Sequence, residues 1–137
     1  MKKFRHVTVV FSLLLVAMFF TADKAVAQGD VMNSVKSAIK IGSSKDLARN
    51  FSSVVEIALE SGEPTSYSNT QAEFVMKNFF SKNTPVDFSY SHQGASDKGQ
   101  KYAIGTYTSK TGSYTVLVRM KEADGKHLIQ SMNFIRD

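Results

Sequence analysis

The strongest period in the chain follows Ser68. Ala72, Val75, Met76, Phe79 and Phe80 recur at i, i+3, i+4, i+7 and i+8, one face of an amphipathic helix. Ser68-Asn69-Thr70-Gln71 opens it as a capping box, the Ser hydroxyl accepting from the Gln71 N–H while the Gln71 side chain reaches back. Asn83-Thr84-Pro85 stops it. Upstream, Val31, Val35, Ala38 and Ile39 share one helical face, so a first helix runs to about Ile41. Asp30 is its expected cap and Gly42 its left-handed C-terminal residue. Ser43 or Ser44 can cap a short second helix with Leu47, Ala48 and Phe51 as its apolar face.

From Val54 the period changes to two. Val55, Ile57 and Leu59 alternate with Glu56 and Ala58 as a half-buried strand. Gly62-Glu63-Pro64 ends it, and Thr65 to Tyr67 returns as a short second strand. After the central helix, Val86, Phe88, Tyr90 and His92 form one strand set. Tyr102, Ile104 and Thr106 form the next, then Tyr114, Val116, Val118 and Met120, then Leu128, Gln130, Met132 and Phe134. Asp97-Lys98-Gly99, Lys110-Thr111-Gly112 and Asp124-Gly125 supply the turns. Four strands joined by tight turns make an antiparallel meander. Helices before a meander predict an α+β fold, with N-terminal helices and one central amphipathic helix packed on a curved antiparallel sheet. Gly105 inside a strand marks a bulge or bend.

The first segment reads differently. Lys2, Lys3 and Arg5 precede a nearly unbroken apolar run over 7–20, and Ala25-Val26-Ala27 follows as a small-x-small cleavage signal. That order is a secretory signal peptide over 1–27, leaving a single domain over 28–137. The run is shorter than the roughly 20 residues of a spanning helix. An exported chain, periplasmic or secreted and not membrane-spanning after cleavage, is the expectation. Cleavage removes four basic residues, Lys2, Lys3, Arg5 and Lys24, and one acidic residue, Asp23. The net charge of +5 therefore falls to +2. No clustered basic face is left for nucleic acid. The absence of Cys excludes disulfides, a thiolate nucleophile and Cys-ligated metal.

The titratable residues offer little catalytic chemistry. His92 shares its apparent strand face with Phe88 and Tyr90, and a histidine there suits a pocket acid/base or a ligand donor. Tyr90, Tyr102 and Tyr114 occupy one apparent face of three strands, where hydroxyls can bond a ligand while the rings stack on it. His92 and these three tyrosines are the candidate pocket. Glu56 and Asp87 fall in phase with polar neighbours and point outward, so no buried carboxylate base can be named. The two histidines after residue 27, His92 and His127, have no carboxylate at metal-ligand spacing. There is no G-x-S-x-G, no phosphate loop and no cofactor signature. The opposite sheet face is mixed. Tyr107, Leu117 and Ile129 stand among polar residues including Arg119, and these four form a candidate interface.

Three segments carry a resemblance. They are Ala72-Glu73-Phe74-Val75-Met76-Lys77-Asn78-Phe79-Phe80-Ser81-Lys82-Asn83, then His92-Gln93-Gly94 followed by Lys101-Tyr102-Ala103-Ile104-Gly105-Thr106, then Lys126-His127-Leu128-Ile129-Gln130. From about Val31 to Asp137 the chain resembles a family of small secreted bacterial proteins with a domain of unknown function and the nuclear transport factor 2-like, cone-shaped fold. The resemblance implies a pocket between sheet and helices, and homodimers through the outer sheet face. It implies no catalytic residues. The expectation is a non-enzymatic domain binding a small ligand in the pocket or a protein partner. An isomerase- or dehydratase-like enzyme of the same fold, and a structural module acting through the outer face, are the alternatives, since fold alone does not choose among them.

Overall fold

The computed structural model describes residues 31–96 and 98–137. The leader expected over 1–27, the cap expected at Asp30 and the turn residue Asp97 lie outside the described residues. The first helix, α1 over 31–41, buries Val35, Ala38 and Ile39, the face its spacing predicts. It ends in a Schellman motif. Gly42 adopts φ +73°, its N–H donates to the Ile39 carbonyl at 3.2 Å, and the Ser43 N–H reaches back to the Ala38 carbonyl at 2.9 Å. Ser43 then caps α2 (Ser44–Ala48) by accepting from the Asp46 N–H. Phe51, expected on this second helix, opens strand β1 (Phe51–Leu59) instead, where it pairs with Ile129.

A short β2 (Thr65–Ser68) returns antiparallel to β1. Ser68 closes β2 and caps α3 (Asn69–Lys82), with both bonds of the capping box made at 3.2 Å. The apolar stripe of α3 buries Ala72, Met76, Phe79 and Phe80, and the helix packs against α2, β1 and β2. Four long strands complete the sheet: β3 (Pro85–Ser96), β4 (Gln100–Ser109), β5 (Gly112–Ala123) and β6 (Lys126–Arg136). Their order is β2-β1-β6-β5-β4-β3. Every pairing is antiparallel except β1 with β6, which is parallel. The meander therefore closes on the N-terminal strand rather than simply extending it. The helices cover one face of the curved sheet, and among the described residues the other face is open.

The register shifts at four places in the sheet, and two of these bulges decide which candidate residues face the helices. In β3 the register slips between Tyr90 and His92, so Ser91 is extra. In β6 it slips opposite Arg119 and Met120, so Gln130 is extra. Each extra residue inverts the phase of the residues beyond it, because strand side chains alternate with period two. In β4 the covered positions are Ala103, Gly105 and Tyr107, not the expected set of Tyr102, Ile104 and Thr106. Gly105 is the reason. The Phe88 ring lies on it, and a Cβ there would stand 2.7 Å from Phe88 Cζ and 2.8 Å from the Ser89 carbonyl oxygen.

Candidate functional site

Under the helices, rings occupy the space where the resemblance implies a pocket. Phe79 packs 4.8 Å from Phe134, 5.3 Å from Tyr114 and 5.8 Å from Tyr107, centroid to centroid. Met120 and Met132 are buried on the same side. Tyr107 and Tyr114 are direct cross-strand neighbours, and their hydroxyls converge on Asn83, the buried C-cap of α3. The Tyr107 hydroxyl donates to the Asn83 carbonyl at 2.5 Å. The Tyr114 hydroxyl donates to Asn83 Oδ1 at 3.0 Å, and the Thr111 hydroxyl donates to the same atom at 2.5 Å. Asn83 Nδ2 in turn donates to the Phe79 carbonyl. Burial pushes the Tyr107 hydroxyl far above the ordinary tyrosine range, with the nearby Tyr114 adding to it. Burial also raises Tyr114, helped by the Glu60 carboxylate 3.5 Å from its hydroxyl. These phenols stay neutral and bonded at ordinary pH, so they offer neither a base nor a nucleophile. Beside them a shallow groove of about 280 Å³ is lined by Glu60, Asn78, Lys82 and Asn83 over Val75 and Phe79.

The four candidate pocket residues do not come together. Tyr114 is core. Tyr90 lies on the covered face at its margin, half-buried, and its hydroxyl ties α1 to β3 by donating to the Met32 carbonyl at 2.8 Å. Burial pushes its pKa up to about 12. His92 and Tyr102 sit on the open face, put there by the β3 bulge and by the phase of β4. They meet each other, His92 Nε2 standing 3.3 Å from the Tyr102 hydroxyl. The Tyr102 ring covers Gly94, its cross-strand partner. Of the candidate interface, Leu117 and Arg119 are on the open face as expected. Tyr107 and Ile129 are not, since both are fully buried under the helices. The β6 bulge turns Ile129 inward, and Gly105 leaves room on the covered face beside Tyr107.

Two adjoining depressions mark the open face. One of about 270 Å³ is lined by Lys101, Tyr102, Leu117 and Arg119 with Gln100 and Gln130. The other, about 180 Å³, is lined by Glu56, Ala58, Leu117, Arg119, Ser131 and Asn133. Leu117 and Arg119 belong to both. Among the described residues Asn133 Oδ1 is shielded and meets no hydrogen-bond donor. A buried acceptor left unpaired costs about 1–3 kcal/mol, so it marks a place where a donor is wanted. The alternation of β6 gave no sign of this, because an outward Asn in a strand reads as solvated. Among the described residues no group of three or more His, Asp or Glu side chains could hold a metal ion, and no helix is long and apolar enough to cross a membrane.

A domain of unknown function, DUF4783, matches residues 32–134. The chain belongs to the DUF4783 family. A DUF4783 protein of Bacteroides ovatus is 28% identical, with a TM-score of 0.73, covering 76% of this chain and 93% of its own. Beyond the family the likeness is one of fold. A cystatin-like domain of unknown function from Nostoc punctiforme superposes with a TM-score of 0.63 at 13% identity, covering 85% of this chain and 78% of its own. A nuclear transport factor 2-like protein of unknown function from Shewanella baltica gives 0.61 at 16% identity, covering 82% and 93%. Among curated proteins nothing matches. The DUF4783 domain is thus an α+β domain of this cone-shaped class, as the resemblance implied. The functional question passes to the residues on its two faces.

Proposed function

We propose that this DUF4783 protein is an exported, non-enzymatic domain that binds a partner through the open face of its sheet. Export rests on the basic, apolar and Ala-x-Ala order of residues 1–27. The binding face rests on one observation above all: the two depressions that share Leu117 and Arg119. A half-buried leucine beside an exposed arginine and a shielded, unbonded amide oxygen is the mixture that interfaces use and a merely solvated face does not need. The helix side supports binding less well, because its rings are packed and its buried hydroxyls have partners.

A small-ligand reading is favoured by a single feature, the Glu60 and Lys82 groove beside Tyr114. Native mass spectrometry on the protein isolated from its own cells separates the two readings. A bound protein partner or a doubled mass that Leu117→Arg removes is the expected result. A discrete small-molecule adduct that survives Leu117→Arg would overturn it and move the site to the helix side.

A further inference from the structure

Among the described residues five large apolar side chains are exposed: Ile41, Val54, Phe74, Val86 and Tyr102. Two of them stand side by side. The Lys40 ammonium lies 3.7 Å from an Asp87 carboxylate oxygen. Two residues along, Gly42 faces Pro85 so closely that a Cβ on it would stand 3.0 Å from Pro85 Cγ. These two contacts bracket Ile41 and Val86, so the last residue of α1 lies against the second residue of β3. Ile41 is 67% exposed and Val86 59%. The register of β3 slips between Pro85 and Asp87, so Val86 is extra and is turned out of the alternation that buries Phe88. Neither Ile41 nor Val86 lines any of the three depressions described above, and both project from the surface.

Four lysines reach the same corner from separate segments, so no basic run announces them in the sequence. Lys40 precedes Ile41 and holds Asp87. Lys45 follows Gly42 by three residues, in the first turn of α2. Lys77 lies one helical turn before Phe80, whose Cβ is 3.6 Å from the place of a Gly42 Cβ. Lys110 is held at the start of β3 by its N–H, which donates to the Thr84 carbonyl at 3.1 Å. Among the described residues the ion pairs are Lys40 with Asp87 and Arg49 with Asp46. Lys45, Lys77 and Lys110 therefore carry unpaired charge, although Glu73 lies one turn behind Lys77 on α3.

We infer that this corner docks the protein on an anionic lipid bilayer, as a peripheral contact separate from the open face of the sheet. A projecting aliphatic pair enters the boundary between headgroups and acyl chains without needing a matching cleft. The lysine stems lie along that boundary while their ammonium groups stay among the phosphates. Each lysine near an anionic surface raises partitioning about fivefold, and burying the two aliphatic side chains adds at least about tenfold. The contact is reversible and salt-dependent, because the attraction acts only within a Debye length of the surface. An acidic protein chain would use the same lysines but leave the aliphatic pair dispensable, and that difference decides the test.

Co-sedimentation with vesicles of phosphatidylcholine and phosphatidylglycerol, and with vesicles of phosphatidylcholine alone, tests it. The purified protein is expected to bind the mixed vesicles only, and to leave them as salt rises toward about 1 M, where the screening length is about 3 Å. Ile41→Ser with Val86→Ser is expected to weaken binding at least about tenfold. Lys45→Gln with Lys77→Gln and Lys110→Gln is expected to weaken it about a hundredfold. All five side chains are exposed, and the melting curve of each variant checks that it folds. Lys98, Lys121 and Lys126 stand at the other end of the sheet. Converting those three to Gln removes the same charge and is expected to keep binding within about threefold of wild type. A wild type that binds neither vesicle, or both equally, would overturn the inference. So would loss of binding in that distant triple as large as in the corner triple, which would reduce the attraction to net charge. Full binding by the Ile41→Ser, Val86→Ser variant overturns it too, and leaves the lysines to an acidic polymer such as a protein chain.

Discussion

Asn83 joins three elements through one amide. It ends α3, takes hydroxyl protons from β5 and the turn before it on Oδ1, and accepts the Tyr107 hydroxyl of β4 on its carbonyl. Tyr114 is fully buried, so its hydroxyl has no water to turn to if the amide goes. Replacing Asn83 with Ala leaves that hydroxyl with only the distant Glu60 carboxylate. The expected cost is about 2 kcal/mol, read as a lower urea midpoint at unchanged m. Tyr114→Phe removes the other end of the same bond, so the two substitutions together should cost less than their sum. Strict additivity would show that the bond from Tyr114 to Asn83 carries no stability of its own. In the sequence Asn83 reads only as a helix stop, because its partners lie 24 to 31 residues away on strands and a turn whose facing alternation does not fix.

Where an element is specified by neighbours in sequence, it was legible. The capping box at Ser68, the stripe of α3 and the Gly42 terminus all formed as spelled, because each needs only residues within one or two turns. The hairpin turns formed for the same reason: Lys98 and Gly99, and Asp124 and Gly125, all adopt left-handed conformations. The facing of β3, β4 and β6 was not legible. A bulge has no residue signature in Ser91 or Gln130, and Gly105 hides the covered face of β4 by lacking a side chain. Hence alternation gives the facing of Leu117 and Arg119, on the unbulged β5, and misses that of His92, Tyr102, Tyr107 and Ile129. The turn after β1 breaks the local rule. Glu60 and Ser61 take φ of 55° and 63° with neither residue a glycine, closed by the Gly62 N–H to the Leu59 carbonyl. Left-handed backbone costs an ordinary residue about 1–2 kcal/mol. Ser61→Gly relieves that cost and returns part of it as chain entropy in the unfolded state. A net gain of about 0.5–1 kcal/mol is expected, seen as a thermal midpoint raised by a few degrees. A lower midpoint would mean that the Ser61 side chain holds the turn in some other way.

Beside the apolar core, three neutral phenols tie the sheet to its helices, and they make the stability answer to alkaline pH. Tyr90 binds α1 to β3, while Tyr107 and Tyr114 bind the end of α3 to β4 and β5. Burial raises all three above the ordinary value near 10, Tyr90 to about 12 and the other two in the same direction. The unfolded chain gives up these protons as pH rises past about 10, while the folded chain still holds them. Stability is therefore intact below pH 10, declines as pH climbs from there toward 12, and is lost as the folded-state phenols themselves ionise. An ionised Tyr90 can no longer donate to the Met32 carbonyl and would face it as an anion, so α1 should loosen ahead of the sheet. Urea midpoints measured from pH 8 to 12 are expected to be flat at first and then to fall. In Tyr90→Phe, which lacks the ionisable group but keeps the ring against Phe88, the fall should be shallower and the midpoint at pH 8 lower by one hydrogen bond, about 1 kcal/mol. An equally steep fall in Tyr90→Phe would assign the alkaline weakness to the Tyr107 and Tyr114 pair alone, and so to the α3 end of the clamp.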